Sequence, residues 1–229
     1  MISLNESIAS FLLAQGADEL AFADLVAAQA YLHEEYGDKW QAYPRAVVVA
    51  VHFPTAIVQE LLHGPSHTYL AYYDIVNHKI NECCLLLANY LAKAGYSAYP
   101  IPASQRISTD KLAGIFSHRL AAYMGGLGWI GKSGNIITQQ NGPRLRLGTV
   151  LTDAPLTCGQ PQANLCADCD LCQKICPAGA INGGLWQEGD AICSHVDALA
   201  CHNYLMEVRQ SFGKRVCGLC LAACPYGYK

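Results

Sequence analysis

The feature that most constrains this chain is the crowding of cysteine near its carboxyl end. One motif has the spacing C-x2-C-x2-C-x3-C-P and consists of Cys166, Cys169, Cys172, Cys176 and Pro177. A shorter motif has the spacing C-x2-C-x3-C-P and consists of Cys217, Cys220, Cys224 and Pro225. Thiols at such short intervals can turn towards one inorganic centre, so the sequence predicts a segment that folds around metal.

The longer motif has the spacing that binds [4Fe–4S] clusters in bacterial two-cluster ferredoxins, where its fourth cysteine ligates the other cluster. We therefore predict two [4Fe–4S] clusters. The ligands expected for the first are Cys166, Cys169, Cys172 and Cys224. The second is expected to use Cys176, Cys217, Cys220 and one further cysteine upstream, for which the spacing leaves Cys193 and Cys201 open. Zinc is the alternative metal because it also binds C-x2-C pairs, but zinc sites seldom need a third cysteine in such close series.

The twelve cysteines also bear on where the protein works. The N-terminal stretch MISLNESIASFLLAQGADEL has no positively charged start and carries Glu6 within its apolar pattern, so it is not expected to be a signal peptide. No run approaches the roughly 18 apolar residues of a membrane-spanning helix. We therefore predict a cytoplasmic protein without a membrane partner, whose clustered thiols stay reduced and available to metal.

The charge distribution is uneven, although the formal net charge is only −3. The segment 106–146 contains one acid, Asp110, and six basic residues: Arg106, Lys111, Arg119, Lys132, Arg144 and Arg146. This local excess predicts an anionic cofactor, substrate or partner, unless the six charges simply form a solvated face. The chain is acidic overall and contains no recognised nucleic-acid-binding motif, so nucleic acid is not expected as a main partner.

Hydrophobic periodicity divides the remainder into helices and strands. We predict helices at 3–15, 69–94 and 110–124, strands at 46–53 and 96–102, and a hairpin within 134–153 around the turn QNGP. Cys83 and Cys84 fall in the second helix, where free cysteine usually packs as a small hydrophobe. Ten of the twelve cysteines follow residue 154, where long periodic segments also become rare. We therefore predict two domains, 1–154 and 155–229.

Further motifs surround the first cysteine motif. They are GLGWIGK at 126–132, GPRLRLGTVLTD at 142–153, CHNYL at 201–205 and CGLCLAACPYG at 217–227. Together with CxxCxxCxxxCPAGAI, these stretches resemble the epoxyqueuosine reductase family and the related corrinoid-dependent reductive dehalogenases. The resemblance is specific over 116–229 and loose over the whole chain. Alignment through CHNYL favours Cys201 over Cys193 as the remaining ligand of the second cluster.

The resemblance implies an α+β fold, in which a flavin nitroreductase-like N-terminal domain is followed by a bacterial ferredoxin-like domain with two [4Fe–4S] clusters. It implies an oxidoreductase whose clusters pass electrons from a low-potential donor, such as ferredoxin or flavodoxin, to a bound cobalamin. The reduced cobalamin would act on a small-molecule substrate or on another corrinoid. Nitroreductase-like folds often dimerise, so a homodimer is expected by analogy.

The cofactor contacts that the resemblance implies lie in the glycine-rich loop and just beyond it. They are Gly126, Leu127, Gly128, Trp129, Ile130, Gly131, Lys132, Arg144 and Arg146. Glycines without side-chain bulk, together with one aromatic ring and one cation, can lie against a large planar or phosphate-bearing cofactor. The alternative is that the same glycines serve tight packing between a helix and a hairpin.

The tRNA-modifying members of the family carry a proton-donating Asp about a dozen residues before the glycine-rich loop. The matching stretch here, LAGIFSHRLAA at 112–122, has no carboxylate. We therefore consider His118 and Arg119 as catalytic residues, with His118 the candidate proton donor. The alternative is that His118 is an exposed or capping residue of a helix. The chain also ends directly after the last cysteine motif, without the helical-repeat extension of those members, so epoxyqueuosine in tRNA is not the expected substrate.

Two alternatives to a cobalamin-dependent reductase follow from the same residues. In the first, the chain is an electron-transfer module without a substrate of its own, which docks on its partner through the basic segment. In the second, the nitroreductase-like fold is kept and binds FMN in place of cobalamin. A test of which cofactor the protein retains separates all three hypotheses.

Overall fold

The structure, a computed structural model, describes residues 2–105, 112–191 and 194–228, which contain both helices and strands. The helices are α1 (Leu4–Ala14), α2 (Gln29–Tyr36), α3 (Thr55–Glu60), α4 (His67–Lys93), α5 (His118–Met124), α6 (Leu171–Ile175), α7 (Ala198–Phe212) and α8 (Leu219–Ala222). The strands are β1 (Glu19–Asp24), β2 (Arg45–His52), β3 (Ala98–Ile101), β4 (Trp129–Ile130), β5 (Ile136–Ile137) and β6 (Leu145–Thr152). Within these described ranges, no helix has the length and apolar character needed to cross a membrane.

The chain forms two compact units, each assembled from three segments. The first unit consists of Met1–Val51, Asn77–Leu127 and Arg146–Gln162, and the second of His52–Val76, Gly128–Leu145 and Ala163–Lys229. These units differ from the predicted domains 1–154 and 155–229, because the cysteine-rich unit also takes in two earlier segments. The composition shows where the cysteine-rich part of the sequence begins, but it does not indicate that the earlier segments His52–Val76 and Gly128–Leu145 belong to the same unit. The domain boundary near residue 155 therefore stays a prediction.

The first unit is built on a four-stranded sheet with the strand order β1-β2-β6-β3. β1 and β2 are antiparallel, with Phe22 opposite Val47, and β3 and β6 are antiparallel, with Tyr99 opposite Leu151. The central strand β2 confirms the strand predicted at 46–53, because all its residues from position 46 to position 51 are buried. A strand covered on both faces is a continuous apolar run rather than an alternation of apolar and polar residues.

The predicted first and second helices are also confirmed. α1 begins with a capping box, in which the Ser3 hydroxyl accepts from the Glu6 N–H and the Glu6 carboxylate accepts from the Ser3 N–H. α4 is followed by Gly95, whose φ of +89° lets the chain turn away after the last helical residues. Cys83 and Cys84 are buried in α4, and burial raises the pKa of both thiols, to about 12 for Cys84.

Two predicted elements differ from the observed ones. The hairpin predicted within 134–153 is wrong in its pairing, because β5 pairs with β4, with Trp129 opposite Ile137, and β6 joins the large sheet. Gly128 permits this pairing, since a Cβ there would lie 2.2 Å from the Ile137 carbonyl oxygen. The helix predicted at 110–124 is shorter, since α5 begins at His118 and is capped by the Ser117 hydroxyl. Residues 112–117 are not helical, and the part of the prediction at 110–111 lies outside the described residues.

Gly148 in β6 provides a test of the core of the first unit. A Cβ at this position would lie 2.3 Å from Ile80 Cγ2 and 2.6 Å from Cys84 Sγ, both on α4. Gly148→Ala is therefore expected to lower the free energy of unfolding by about 1–3 kcal/mol through overpacking, measured by chemical denaturation of the anaerobically purified protein. Leu85→Ala on the same helix, at a side chain 56% exposed, is the control and should change it by less than about 0.5 kcal/mol. An unchanged value for Gly148→Ala would contradict this packing.

Candidate metal centres

Four thiols of the second unit line one cavity of about 350 Å³, including its open mouth. Three come from the first cysteine motif and one from the second: Cys166, Cys169, Cys172 and Cys224. The other lining residues are Lys132, Ser133, Ile137, Pro225 and Tyr226. The fold therefore brings together the same four thiols that the sequence assigns to the first cluster.

The backbone around the first three of these thiols is tightly turned. The Cys169 N–H donates to the Cys166 carbonyl oxygen at 3.0 Å, and between them Ala167 has a φ of +42°, which residues other than glycine rarely adopt. Asn164 holds the start of this turn, because its Oδ1 accepts from the Cys166 N–H at 3.0 Å and its Nδ2 donates to the Ile130 carbonyl oxygen at 2.9 Å. Strained backbone of this kind persists only where the surroundings fix it.

The remaining four predicted ligands form a second group of thiols, whose proximity is evident in their pKa values. Burial raises the pKa of Cys201, and the neighbouring Cys176 raises it further. Burial also raises the pKa of Cys217, and Cys201 and Cys176 add to this effect. The pKa of Cys220 rises to about 12 through burial and the nearby thiols of Cys217 and Cys201. Cys172 of the first group also raises the pKa of Cys220, so the two groups are adjacent there.

The first group shows the same electrostatic coupling. Burial raises the pKa of Cys172, and Cys166 and Cys169 raise it further. The pKa of Cys224 rises to about 12, mainly through burial and with contributions from the other three thiols. Thiols with raised pKa values are protonated at neutral pH and become thiolates when a metal displaces the proton. Among the described residues, no three His, Cys, Asp or Glu side chains lie close enough together to bind a single metal ion. The four thiols of the first group instead stand around a cavity.

A hairpin consisting of β4, β5 and the turn 131–135 contacts both groups of thiols. The turn is closed by hydrogen bonds from the Gly131 N–H to the Asn135 carbonyl oxygen at 2.9 Å and from the Gly134 N–H to the Gly131 carbonyl oxygen at 2.8 Å. On the side of the first group, Lys132 Nζ donates to the Cys169 carbonyl oxygen at 3.0 Å. On the side of the second group, Asn135 Nδ2 donates to Cys220 Sγ at 3.6 Å.

The glycines of the loop 126–132 pack closely against other residues of this chain. Close packing is the alternative to cofactor contact that the sequence left open. A Cβ at Gly126 would lie 2.4 Å from the Gln160 carbonyl oxygen. At Gly128 and Gly131 the nearest atoms, each 2.2 Å away, belong to Ile137. Two apolar members of the loop are also withdrawn from solvent: Ile130 fully and Leu127 in part. The described contacts therefore account for these glycines by close packing, without a cofactor.

The two arginines predicted to hold a cofactor are engaged within their own units. In the second unit, Arg144 is 2% exposed, donates to the Tyr226 carbonyl oxygen at 3.0 Å and lies 4.2 Å from the centre of the Tyr228 ring. In the first unit, Arg146 Nε donates to Asn77 Oδ1 at 3.0 Å. Of the six basic residues in the segment 106–146, Arg106 and Lys111 lie outside the described residues, so whether all six converge stays a prediction. Asp110 and the alternative ligand Cys193 also lie outside the described residues.

His118 occupies an environment that does not suit a proton donor. Its Nε2 lies 3.0 Å from the Pro102 carbonyl oxygen, which can only accept, so Nε2 carries the proton and Nδ1 accepts from the Thr149 hydroxyl at 2.8 Å. Burial lowers the pKa of His118 to about 4, so the ring is neutral at pH 7. His118 is also not the cap of α5, a role that Ser117 takes. Arg119 follows it on α5 and is half-buried.

Comparison with known proteins places these features in context. No family model matches the sequence. The epoxyqueuosine reductase of Vibrio cholerae is 28% identical over 191 residues, which are 76% of this chain and 46% of that protein. A crystal structure of epoxyqueuosine reductase with an epoxyqueuosine-modified tRNA-Tyr stem loop has a TM-score of 0.62 and 20% identity, covering 98% of this chain and 65% of the other. A reductive dehalogenase, whose structure suggests a mechanism for B12-dependent dehalogenation, has a TM-score of 0.73 and 19% identity, covering 98% and 32%.

The fold is therefore the mixed helix-and-sheet fold that these two kinds of reductase contain. In sequence the chain is similar to epoxyqueuosine reductases, and in fold it is similar both to them and to reductive dehalogenases, as its motifs predict. It spans less than half the length of the Vibrio cholerae relative, so the activity of the whole relative does not transfer with the match. One of these structures contains a tRNA stem loop bound to the relative, and the expectation that nucleic acid is not a main partner of this chain stays a prediction.

Sequence reasoning did not identify Asn135, Ser133 or Tyr226 as neighbours of the thiols. Asn135 is the last residue of the turn that GLGWIGK enters, but Cys220 lies 85 positions further along the chain, and nothing in the spacing links the two. Tyr226 lines the first cavity, and its hydroxyl donates to the Leu165 carbonyl oxygen at 3.0 Å, just before the first motif. Its position directly after Cys224-Pro225 was the one available signal.

The protonation state of His118 can be measured directly. We expect the His118 ring to stay neutral, with its proton on Nε2, from pH 8 down to pH 5.5, because burial disfavours the charged form. Nitrogen-15 NMR of the histidine rings tests this, with His118→Asn to assign the signal and free histidine in the buffer as pH reference. In the unfolded chain His118 is expected to take up its proton near pH 6.5, whereas in the folded chain it does so only near pH 4. Between these two values the unfolded chain binds more protons than the folded one, so the contribution of His118 to the free energy of unfolding is present above pH 6.5 and falls as the pH drops towards 4. A His118 signal that titrates between pH 6 and 7 would reinstate it as a proton donor.

Proposed function

We propose that this protein is an iron–sulfur oxidoreductase, in which two [4Fe–4S] clusters carry electrons to a cobalamin that reduces a small substrate or another corrinoid. The observation that carries the proposal is the gathering of one thiol group around a cavity and of a second group beside it. The first cluster would be held by Cys166, Cys169, Cys172 and Cys224. The second would be held by Cys176, Cys201, Cys217 and Cys220.

The residues present fit a pair of clusters. A cubane offers a separate iron to each thiolate, so its ligands stand around a cavity, whereas a tetrahedral zinc ion needs all four sulfurs about 2.3 Å from one point. Four thiols around one cavity match the first requirement. The cavity also holds Lys132, only 8% exposed, whose positive charge would offset the negative charge of a thiolate-ligated cluster. When bound, such clusters supply one-electron redox chemistry.

The adjacency of the two groups supports electron transfer between the clusters. Cys172 belongs to the first group and Cys220 to the second, yet the two thiols lie close enough to each other that Cys172 raises the pKa of Cys220. This chain's contribution would be to hold the two centres side by side and to exclude water from them. The buried Cys166 and Cys224, each 8% exposed, would shield the first centre. A low-potential protein such as ferredoxin or flavodoxin is the proposed electron donor.

Cobalamin enters the proposal through the relatives, since one of them is a reductase with B12-dependent chemistry. Four of the residues predicted to hold it are engaged with other parts of this chain. The loop glycines Gly126, Gly128 and Gly131 are closely packed, and the Arg144 guanidinium is occupied by backbone carbonyls. We therefore assign no residue to the corrinoid and derive no step through it. We further propose that the first unit is nitroreductase-like and the second ferredoxin-like.

Iron content tests the cluster assignment. We expect about eight irons per chain in anaerobically purified protein and about four in either Cys172→Ala or Cys201→Ala, because each variant removes a ligand of one cluster. Iron and sulfide analysis with EPR of the reduced protein measures this. Cys83→Ala is the matched control, since that thiol is buried in the part of α4 that belongs to the first unit, and it should keep all eight irons. Bound zinc in the wild type, or full iron in Cys201→Ala, would contradict the assignment, and the latter would point to Cys193.

Cofactor retention separates the three functional hypotheses. We expect the anaerobic protein with intact clusters to retain cobalamin, and not FMN, when each is offered separately and the mixture is passed through gel filtration. Absorption spectra of the protein peak, before and after addition of a low-potential reductant, report both binding and reduction. Retention of FMN alone would favour the flavin alternative. Loss of both cofactors would leave the electron-transfer module as the function.

A further inference from the structure

The hairpin formed by β4, the turn 131–135 and β5 brings one hydrogen-bond donor to each group of thiols. Asn135 supplies the donor for the second group, with its amide nitrogen 3.6 Å from Cys220 Sγ. The amide therefore favours negative charge on this sulfur, which is the direction in which a donor acts on a metal-bound thiolate.

Trp129 occupies the corresponding place beside the first group. Its ring is fully buried, packs with Cys166, Cys224 and Ile137, and meets the Tyr226 ring edge-on with centroids 4.8 Å apart. Its Nε1 is buried and has no hydrogen-bond acceptor among the described residues. A buried donor without a partner is energetically unfavourable, and in a native structure one explanation for it is a group that binds at the site. The side chains that pack against its ring include the thiols of Cys166 and Cys224.

We propose that this hairpin sets the reduction potentials of the two clusters separately, with the Trp129 indole N–H donating to sulfur of the first cluster and the Asn135 amide donating to Cys220 of the second. The proposal rests on the proposed function, because it requires both clusters. Reduction places an additional negative charge on a cluster and its sulfurs. A donor to sulfur stabilises the reduced form more than the oxidised form and so raises the reduction potential.

Two further contacts show that the hairpin is held at the thiols. A Cβ on Gly131 would lie 3.3 Å from Cys166 Sγ, so the backbone of the turn is close to that sulfur. Lys132 Nζ donates to the Cys169 carbonyl oxygen at 3.0 Å, which fixes the turn to the first cysteine motif. The donors are thus carried by a short element that is anchored on both sides, which is the arrangement that gives a donor a defined distance to its acceptor.

Potentiometric titration monitored by EPR tests the proposal in the cluster-loaded protein. Cys169→Ser and Cys217→Ser assign the two couples, since each shifts or removes the couple of its own cluster. Trp129→Phe keeps an aromatic ring but removes the N–H, and Asn135→Leu keeps the side-chain size but removes the amide. Gln139→Leu, at an exposed position just after β5, is the control for a change on the same segment.

The expected result is a selective shift. Trp129→Phe should move only the first couple to more negative potential, and Asn135→Leu only the second, with about eight irons retained in both and no shift in Gln139→Leu. Unchanged couples in both variants with full iron content would overturn the proposal, as would equal shifts of both couples in each variant. Absence of clusters from the wild-type protein would instead refute the proposed function, so the two failures are distinguishable.

Discussion

The convergence of thiols from distant motifs is the constraint on which the second unit depends. Its helices α6 and α8 are only 5 and 4 residues long, too short to form a core by themselves. Both thiol groups combine the segment before Pro177 with the segment before Pro225, so neither group exists until those segments meet. A metal bound at such a site contributes its binding free energy to folding, because the unfolded chain offers no preformed site. Without metal, the same buried thiols only raise one another's pKa values.

Glycine is what allows the remaining backbone to approach these segments. A Cβ on Gly142, at a φ of +59°, would lie 2.1 Å from the Tyr226 carbonyl oxygen. The same carbonyl oxygen accepts from Arg144, two residues further along the chain, so one turn is fixed against the C-terminal segment by close packing and by a charged donor. The glycine-rich loop follows the same logic at Gly128. Its composition therefore reflects the close passage of chains around the thiols, and this explains why a motif typical of cofactor loops contains so little free surface.

The sequence was sufficient where one local pattern determines the outcome. The buried strand β2 and the helix α4 follow from hydrophobic periodicity, and the cysteine spacing selected four thiols that do line one cavity. It failed where the outcome depends on partners far along the chain. β5 pairs with β4 because Gly128 admits the Ile137 backbone, and His118 is neutral because its ring is buried where Pro102 and Thr149 contact it. Neither partner can be inferred from residues next to the motif itself.

The engagement of Arg144 limits how a corrinoid could bind. Its guanidinium donates to the carbonyl oxygens of Tyr226 and Gly227, and hydrogen bonds that involve a charged group contribute roughly 1.5–3 kcal/mol each. Turning this side chain towards a phosphate would therefore cost about 3–6 kcal/mol before any gain, and it would release the segment directly after Cys224. A binding mode through Arg144 would thus be coupled to the first thiol group.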